Sequence, residues 1–66
     1  MEIVCNGEKR HVAPGTGLVE FIRSLELDPA TVVVECDGLI LAKETYEGQE
    51  LQDGMVLELI QFVGGG

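Results

Sequence analysis

"GTGLVEFIRSL", residues 15–25, is the stretch of this 66-residue chain that carries a helical period. Leu18, Phe21, Ile22 and Leu25 recur at i, i+3, i+4 and i+7 and form one apolar face, while Glu20, Arg23 and Ser24 fall off it. Pro14-Gly15 breaks the pattern before it, and Thr16 stands where a helix N-cap is expected. Asp28-Pro29 is expected to end the helix, because a residue before proline disfavours the α region. One short amphipathic helix cannot bury its stripe alone. It needs a sheet face to cover.

Hairpins on both sides can supply that face. In "MEIVCNGEKRHV", residues 1–12, Asn6-Gly7 offers the two positive-φ positions of a type I′ turn between segments able to pair. In "TVVVECDGLILAK", residues 31–43, Asp37-Gly38 does the same. "ETYEGQ" reads as a polar loop anchored by Tyr46, and "LQDG" turns the chain into a last apolar run from Met55 to Val63. The order ββαβββ, or ββαββ with irregular structure before the last strand, describes an α+β domain. It is a mixed sheet of four to five strands with the helix packed on one face.

Period-2 alternation divides that sheet into two faces. Met55, Leu57 and Leu59 share one side of the last strand, and Val56, Glu58, Ile60 and Phe62 the other. Glu58 turns the second set to solvent. Glu35 likewise turns Val33 outward, with Val32, Val34 and Cys36 inward, and Val4 lies outside while Ile3 and Cys5 lie inside. Val4, Val33, Val56, Ile60 and Phe62 therefore become candidate exposed apolar residues on the helix-free face. Any one alone is ordinary; together on neighbouring strands they form a patch of the kind that marks a protein partner.

Charge and composition exclude several functions. Twelve acidic against four basic residues give a net charge of −8, which repels phosphate backbones and anionic lipid. Neither nucleic acid nor a membrane surface is an expected partner. No run approaches the ~18 apolar residues of a membrane span, and "MEIVCNGEKR" lacks the basic start and apolar stretch of a signal peptide. A cytoplasmic protein, monomeric when free, is expected, with Cys5 and Cys36 as free thiols in a reducing compartment.

No catalytic constellation can be assembled. His11 is the single histidine and reads as a surface residue of a hairpin strand. Cys5 and Cys36 have no CxxC spacing and no second histidine, so no metal site is expected. Gly15-Thr16-Gly17 lacks the third glycine and the βαβ context of a dinucleotide fingerprint, and there is no phosphate loop. The chain is not expected to be an enzyme or to hold a cofactor.

What remains is the end of the chain. "LELIQFVGGG", residues 57–66, runs from a strand into three glycines that can neither cap a helix nor shape a turn. Glycine loses the most conformational entropy on ordering, so three at a terminus invite a functional reason. The α-carboxylate of Gly66 is unreactive until activated, for instance as an acyl-adenylate. A narrow site that must reach this carbonyl from several sides admits glycine without clash, and a groove can hold the extended tail by backbone hydrogen bonds. The expected division is a folded domain over residues 1–63 and a flexible tail over 64–66.

The whole chain resembles the bacterial sulfur carriers of thiamine biosynthesis, the ThiS family of the β-grasp, ubiquitin-like superfamily. The resemblance rests on "IVCNGE" in the opening hairpin, "GTGLVEFI" at the helix, "LDPATVVVECDG" through the third strand and "LQDGMVLELIQFVGGG" at the end. It implies a carrier whose Gly66 is adenylated by an E1-like adenylyltransferase (ThiF-type), which uses the ATP. The acyl-adenylate becomes a thiocarboxylate, with sulfur ultimately from cysteine by way of a desulfurase. A thiazole synthase (ThiG-type) then receives the sulfur. Gly64 and Gly65 would thread into the partner, led by Phe62 and Val63. Strand alternation, independently of the resemblance, makes Phe62, Ile60, Val56, Val33 and Val4 the expected docking surface, with Val63 adjoining it.

The β-grasp resemblance further implies that the first and third strands flank the last. Cys5 and Cys36 would then lie two strand spacings, roughly 9–10 Å, apart, beyond the ~7 Å Cα limit of a disulfide. Both are expected to be inert core thiols. Three alternatives remain open at this point. The carrier could serve molybdopterin or another acceptor, Gly66 could instead be joined to target lysines as in a ubiquitin-like modifier, or the domain could be a binding module with an incidental tail.

Overall fold

The computed structural model describes residues 1–61. The expectations for Phe62, Val63, Gly64, Gly65 and Gly66, and the boundary between domain and tail, lie outside the described residues. Five strands and one α-helix occur in the order β1 (Glu2–Cys5), β2 (Glu8–His11), α1 (Leu18–Ser24), β3 (Val32–Cys36), β4 (Leu39–Ile40) and β5 (Val56–Gln61). They form one mixed sheet in the order β2-β1-β5-β3-β4. The last strand runs parallel to β1 and antiparallel to β3, so β5 is the centre of the sheet.

Both hairpin turns use the expected geometry. Asn6 and Gly7 have φ of 51° and 80°, and Asp37 and Gly38 have 49° and 88°. These are the paired positive-φ values of a turn whose twist matches the flanking strands. The second hairpin is shorter than its apolar sequence suggests, because β4 has only two residues. Leu41 continues it by one bond, its N–H donating to the Val34 carbonyl at 2.9 Å.

Tyr46 completes what β4 leaves open. Residues 44–49 are not the irregular polar loop expected from sequence: Lys43–Gly48 is a 3₁₀ segment that carries Tyr46 into the core. Its phenol donates to the Val32 carbonyl at 2.9 Å and accepts from Val34 N–H at 3.1 Å. The side chain thus replaces a strand neighbour for backbone groups of β3 that would otherwise be buried and unpaired.

The helix also departs from expectation at both ends. Thr16 is not its N-cap; the Thr16 hydroxyl donates instead to the Ala13 carbonyl, and Gly17 occupies the cap position without a side-chain bond. The first helical N–H, of Leu18, finds the Gln49 carbonyl at 2.8 Å, while Leu51 N–H donates to Thr16 at 2.9 Å. A strap from a distant loop therefore does the work of a cap. At the other end the helix stops at Ser24, four residues before Asp28-Pro29. Glu26 takes a left-handed φ of 62°, its N–H donating to Arg23, while Leu27 N–H reaches Ile22. This is a Schellman closure with glutamate where glycine is usual. Asp28-Pro29 begins a 3₁₀ turn, Pro29–Thr31, which Asp28 caps through Ala30 N–H.

The core lies between α1 and one face of the sheet. Ile3, Leu18, Ile22, Val32, Val34 and Leu57 are fully buried, joined by Phe21, Leu51, Met55 and Leu59. The helix stripe and the inward strand positions are those the two periodicities mark. Leu25 is only half-buried, because it follows the last helical residue. No helix among the described residues is long and apolar enough to cross a membrane.

Candidate functional site

The strand that leads towards the glycines is held from both sides by turn side chains. After β1 ends, Asn6 extends its ladder: Asn6 N–H donates to the Leu57 carbonyl at 2.9 Å. The Asn6 carboxamide then accepts from Leu59 N–H at 2.8 Å and donates to the Leu59 carbonyl at 3.4 Å. On the other side, Asp37 N–H donates to the Val56 carbonyl at 2.8 Å and Asp37 Oδ1 accepts from Val56 N–H at 2.9 Å. The carboxylate thus serves as the acceptor at this rung of the ladder. Each I′ turn therefore contributes a side chain to the central ladder as well as a reversal.

The β5 side chains alternate as expected, with Met55, Leu57 and Leu59 buried and Val56, Glu58 and Ile60 exposed. On the helix-free face, Val56 and Ile60 are 43% and 50% exposed, and Val4 and Val33 are half-buried. Register brings Val4 opposite Val56 and Val33 opposite Ile60. Between those two rows, Glu35 stands opposite Glu58. The apolar residues are thus brought to one face but divided by an acidic pair.

Leu39 and Ile40, each 72% exposed on β4, are the most exposed large apolar side chains among the described residues, and the parity argument on the other strands does not reach them. Ile40 lies opposite Glu35, and Leu39 opposite Cys36. The hairpin register set by Asp37-Gly38 is the signal that places Ile40 on the open face.

The two cysteines are register partners of one residue, Leu57, from opposite sides. They are free, and a strand separates them. Burial pushes both thiols up from their ordinary value. Arg10 opposes this at Cys5, whereas the Asp37 carboxylate adds to it at Cys36. Cys5 is a core thiol; Cys36 is half-buried near the sheet edge, so the expectation of two core thiols holds only for Cys5.

No catalytic or metal-holding arrangement emerges among the described residues. His11 is exposed on β2, with Nε2 3.8 Å from a Glu2 carboxylate oxygen. No group of three or more His, Cys, Asp or Glu side chains is placed to hold a metal ion among the described residues. An open cleft of about 260 Å³ lies beside α1, lined by Arg23, Lys43, Asp28 and Glu47 among others. Its charges are mixed, and Lys43 Nζ already donates to the Ala30 carbonyl. The open sheet face around β5 carries Val4, Val33, Val56 and Ile60 and is not covered by the helix.

Comparison with known proteins gives this geometry a family. The ThiS family model matches residues 1–66. The sulfur carrier protein ThiS of Bacillus subtilis is 37% identical over 62 residues, covering 92% of this chain and 94% of that protein. A thiazole synthase of Paramagnetospirillum magneticum is 33% identical over 66 residues, which is all of this chain but 20% of that protein. The chain therefore spans about one fifth of the length of that relative. The crystal structure of a thiamine biosynthesis protein (ThiS) from Geobacter metallireducens superposes with a TM-score of 0.82 at 29% identity, covering the whole of both chains. A mixed sheet with one helix on one face, a central last strand and a match along the full sequence make the conclusion direct: this β-grasp chain belongs to the ThiS family.

Proposed function

We propose that this chain is a sulfur carrier of thiamine biosynthesis, itself no catalyst, and that its working group is the carboxylate of Gly66. An E1-like adenylyltransferase joins that carboxylate to the AMP portion of ATP and releases pyrophosphate. Sulfur at the sulfide level then attacks the carbonyl and expels AMP, and the resulting thiocarboxylate supplies sulfur to a thiazole synthase. A thiocarboxylate is a good nucleophile that stays bound to its carrier, so sulfur is delivered without release of free sulfide.

The observation that carries this reading is the family match extending through Gly64, Gly65 and Gly66. Their strand, β5, is the central one. The glycines thus follow the best-supported strand of the domain, which suits a short tail offered to a deep, narrow site. The thiazole synthase relative that contains a segment matching this whole chain supports the choice of acceptor.

Intact mass measurement tests the reading. Incubation with an E1-like adenylyltransferase, ATP and a sulfur source is expected to exchange one oxygen for sulfur at Gly66. A chain lacking Gly65 and Gly66 is expected to fold and remain unmodified. Persistence of the original mass with a competent activating enzyme, or modification of the truncated chain, overturns the proposal.

A further inference from the structure

The acidic pair on the open face is an unresolved local conflict. Glu35 and Glu58 are directly opposite in the β3–β5 ladder, and like charges in that position destabilise a sheet. The ion pairs among the described residues are Arg10–Glu8 and His11–Glu2, both at the β1–β2 side; neither Glu35 nor Glu58 takes part. The cation on the open face is Lys9, opposite Val4 and therefore two strands from Glu58. A neutral pair would hold the sheet better. The charges have a reason outside the fold.

Their setting indicates what that reason is. Val33 and Ile60 form one apolar row beside the pair, Val4 and Val56 form the other, and Ile40 extends beyond Glu35. A second copy of this chain is a poor occupant, since face-to-face contact would gather four glutamates beneath apolar side chains. A guanidinium fits: its planar array of donors can reach two carboxylates at once, and its release of the repulsion adds to its own attraction. Burial under apolar neighbours would strengthen both.

We propose that this face docks onto thiazole synthase through an arginine that enters between Glu35 and Glu58, with apolar side chains of the synthase seated on Val33–Ile60 and Val4–Val56. The proposal rests on the reading that this chain delivers sulfur to that enzyme. The synthase is the occupant because a thiazole synthase relative carries a segment matching the whole of this chain in one polypeptide. Such linkage holds a carrier domain near its acceptor at high effective concentration.

The test compares the wild-type chain with a Glu35→Gln/Glu58→Gln double variant. Binding to the thiazole synthase of the same organism is measured by calorimetry at two salt concentrations, beside thermal unfolding and activation by the adenylyltransferase. The double variant is expected to melt higher than wild type, yet bind the synthase about tenfold more weakly or worse and with less salt dependence. A Glu35→Lys variant is expected to abolish binding while remaining folded. Equal binding of wild type and double variant overturns the acidic-pair proposal and leaves the sulfur-carrier reading standing. A loss confined to the adenylyltransferase overturns it too, by assigning the face to the other enzyme. Failure of wild type to bind the synthase, with Gly66 still converted to a thiocarboxylate, overturns the choice of acceptor itself.

Discussion

Asn6 grips Leu59 by both ends of its carboxamide, accepting from the Leu59 N–H at 2.8 Å and donating to the Leu59 carbonyl at 3.4 Å. The two residues are 53 positions apart. The contact prolongs the β1–β5 ladder beyond the last residue of β1. Asn6→Ala is expected to leave that N–H without its protein acceptor and to burden the positive-φ turn as well. A loss of about 1–3 kcal/mol is expected, read by urea denaturation. Asn6→Asp keeps the acceptor and should lose less.

Tyr46→Phe tests the phenol as a substitute strand. The ring would still fill its place, but the Val34 N–H and Val32 carbonyl would lose their shared partner. A buried polar group left without a partner costs about 1–3 kcal/mol. The expected readout is a lower urea midpoint with an unchanged slope. Hydrogen exchange should accelerate first at Val34.

Glu26→Gly should stabilise the domain. A non-glycine residue in the left-handed region carries a penalty of roughly 1–2 kcal/mol, and glycine returns part of it as unfolded-state entropy. A net gain of about 0.5–1 kcal/mol is expected, visible as a higher melting temperature. An unchanged or lower melting temperature would mean that the glutamate relieves its backbone by a contact of its own.

Alkaline pH should weaken the fold partly through Cys5. Burial raises this thiol above its ordinary value of 9.0, so the folded state holds the proton more tightly than the unfolded chain. The associated stability is fully present below the ordinary value and is lost as pH rises through the raised one. The stability difference between wild type and Cys5→Ala should therefore be flat at neutral pH and shrink above about 9. Alkylation should reach half-buried Cys36 before Cys5.

Local chemistry made much of the fold legible. Leu18, Phe21 and Ile22 announce the helix face by spacing alone, and Asn6-Gly7 and Asp37-Gly38 announce their turns by backbone preference. The features that escaped depend on partners far along the chain. Gln49 and Leu51 hold the helix start, Tyr46 completes β3, and Asn6 and Asp37 lend side chains to β5; none of these bonds has a periodic signature. The helix ends ahead of Asp28-Pro29 because Glu26 adopts a left-handed conformation that its side chain disfavours. The open face could be read from alternation on β1, β3 and β5. The opposition of Glu35 and Glu58 could not, since it depends on the register between two strands separated by the second hairpin and the 3₁₀ segment.

The central position of β5 also has a mechanical meaning. Because β1 and β5 are parallel, the start of the first strand and the end of the last lie at opposite ends of the sheet. Tension between them loads the hydrogen bonds of that ladder along the strand axis, all together, instead of opening them one at a time. The outer strands β2 and β4 would instead peel from their edges. A pull applied beyond Gln61 would therefore be met by the two ladders of a central strand, loaded in shear, and not by an edge strand that can peel away.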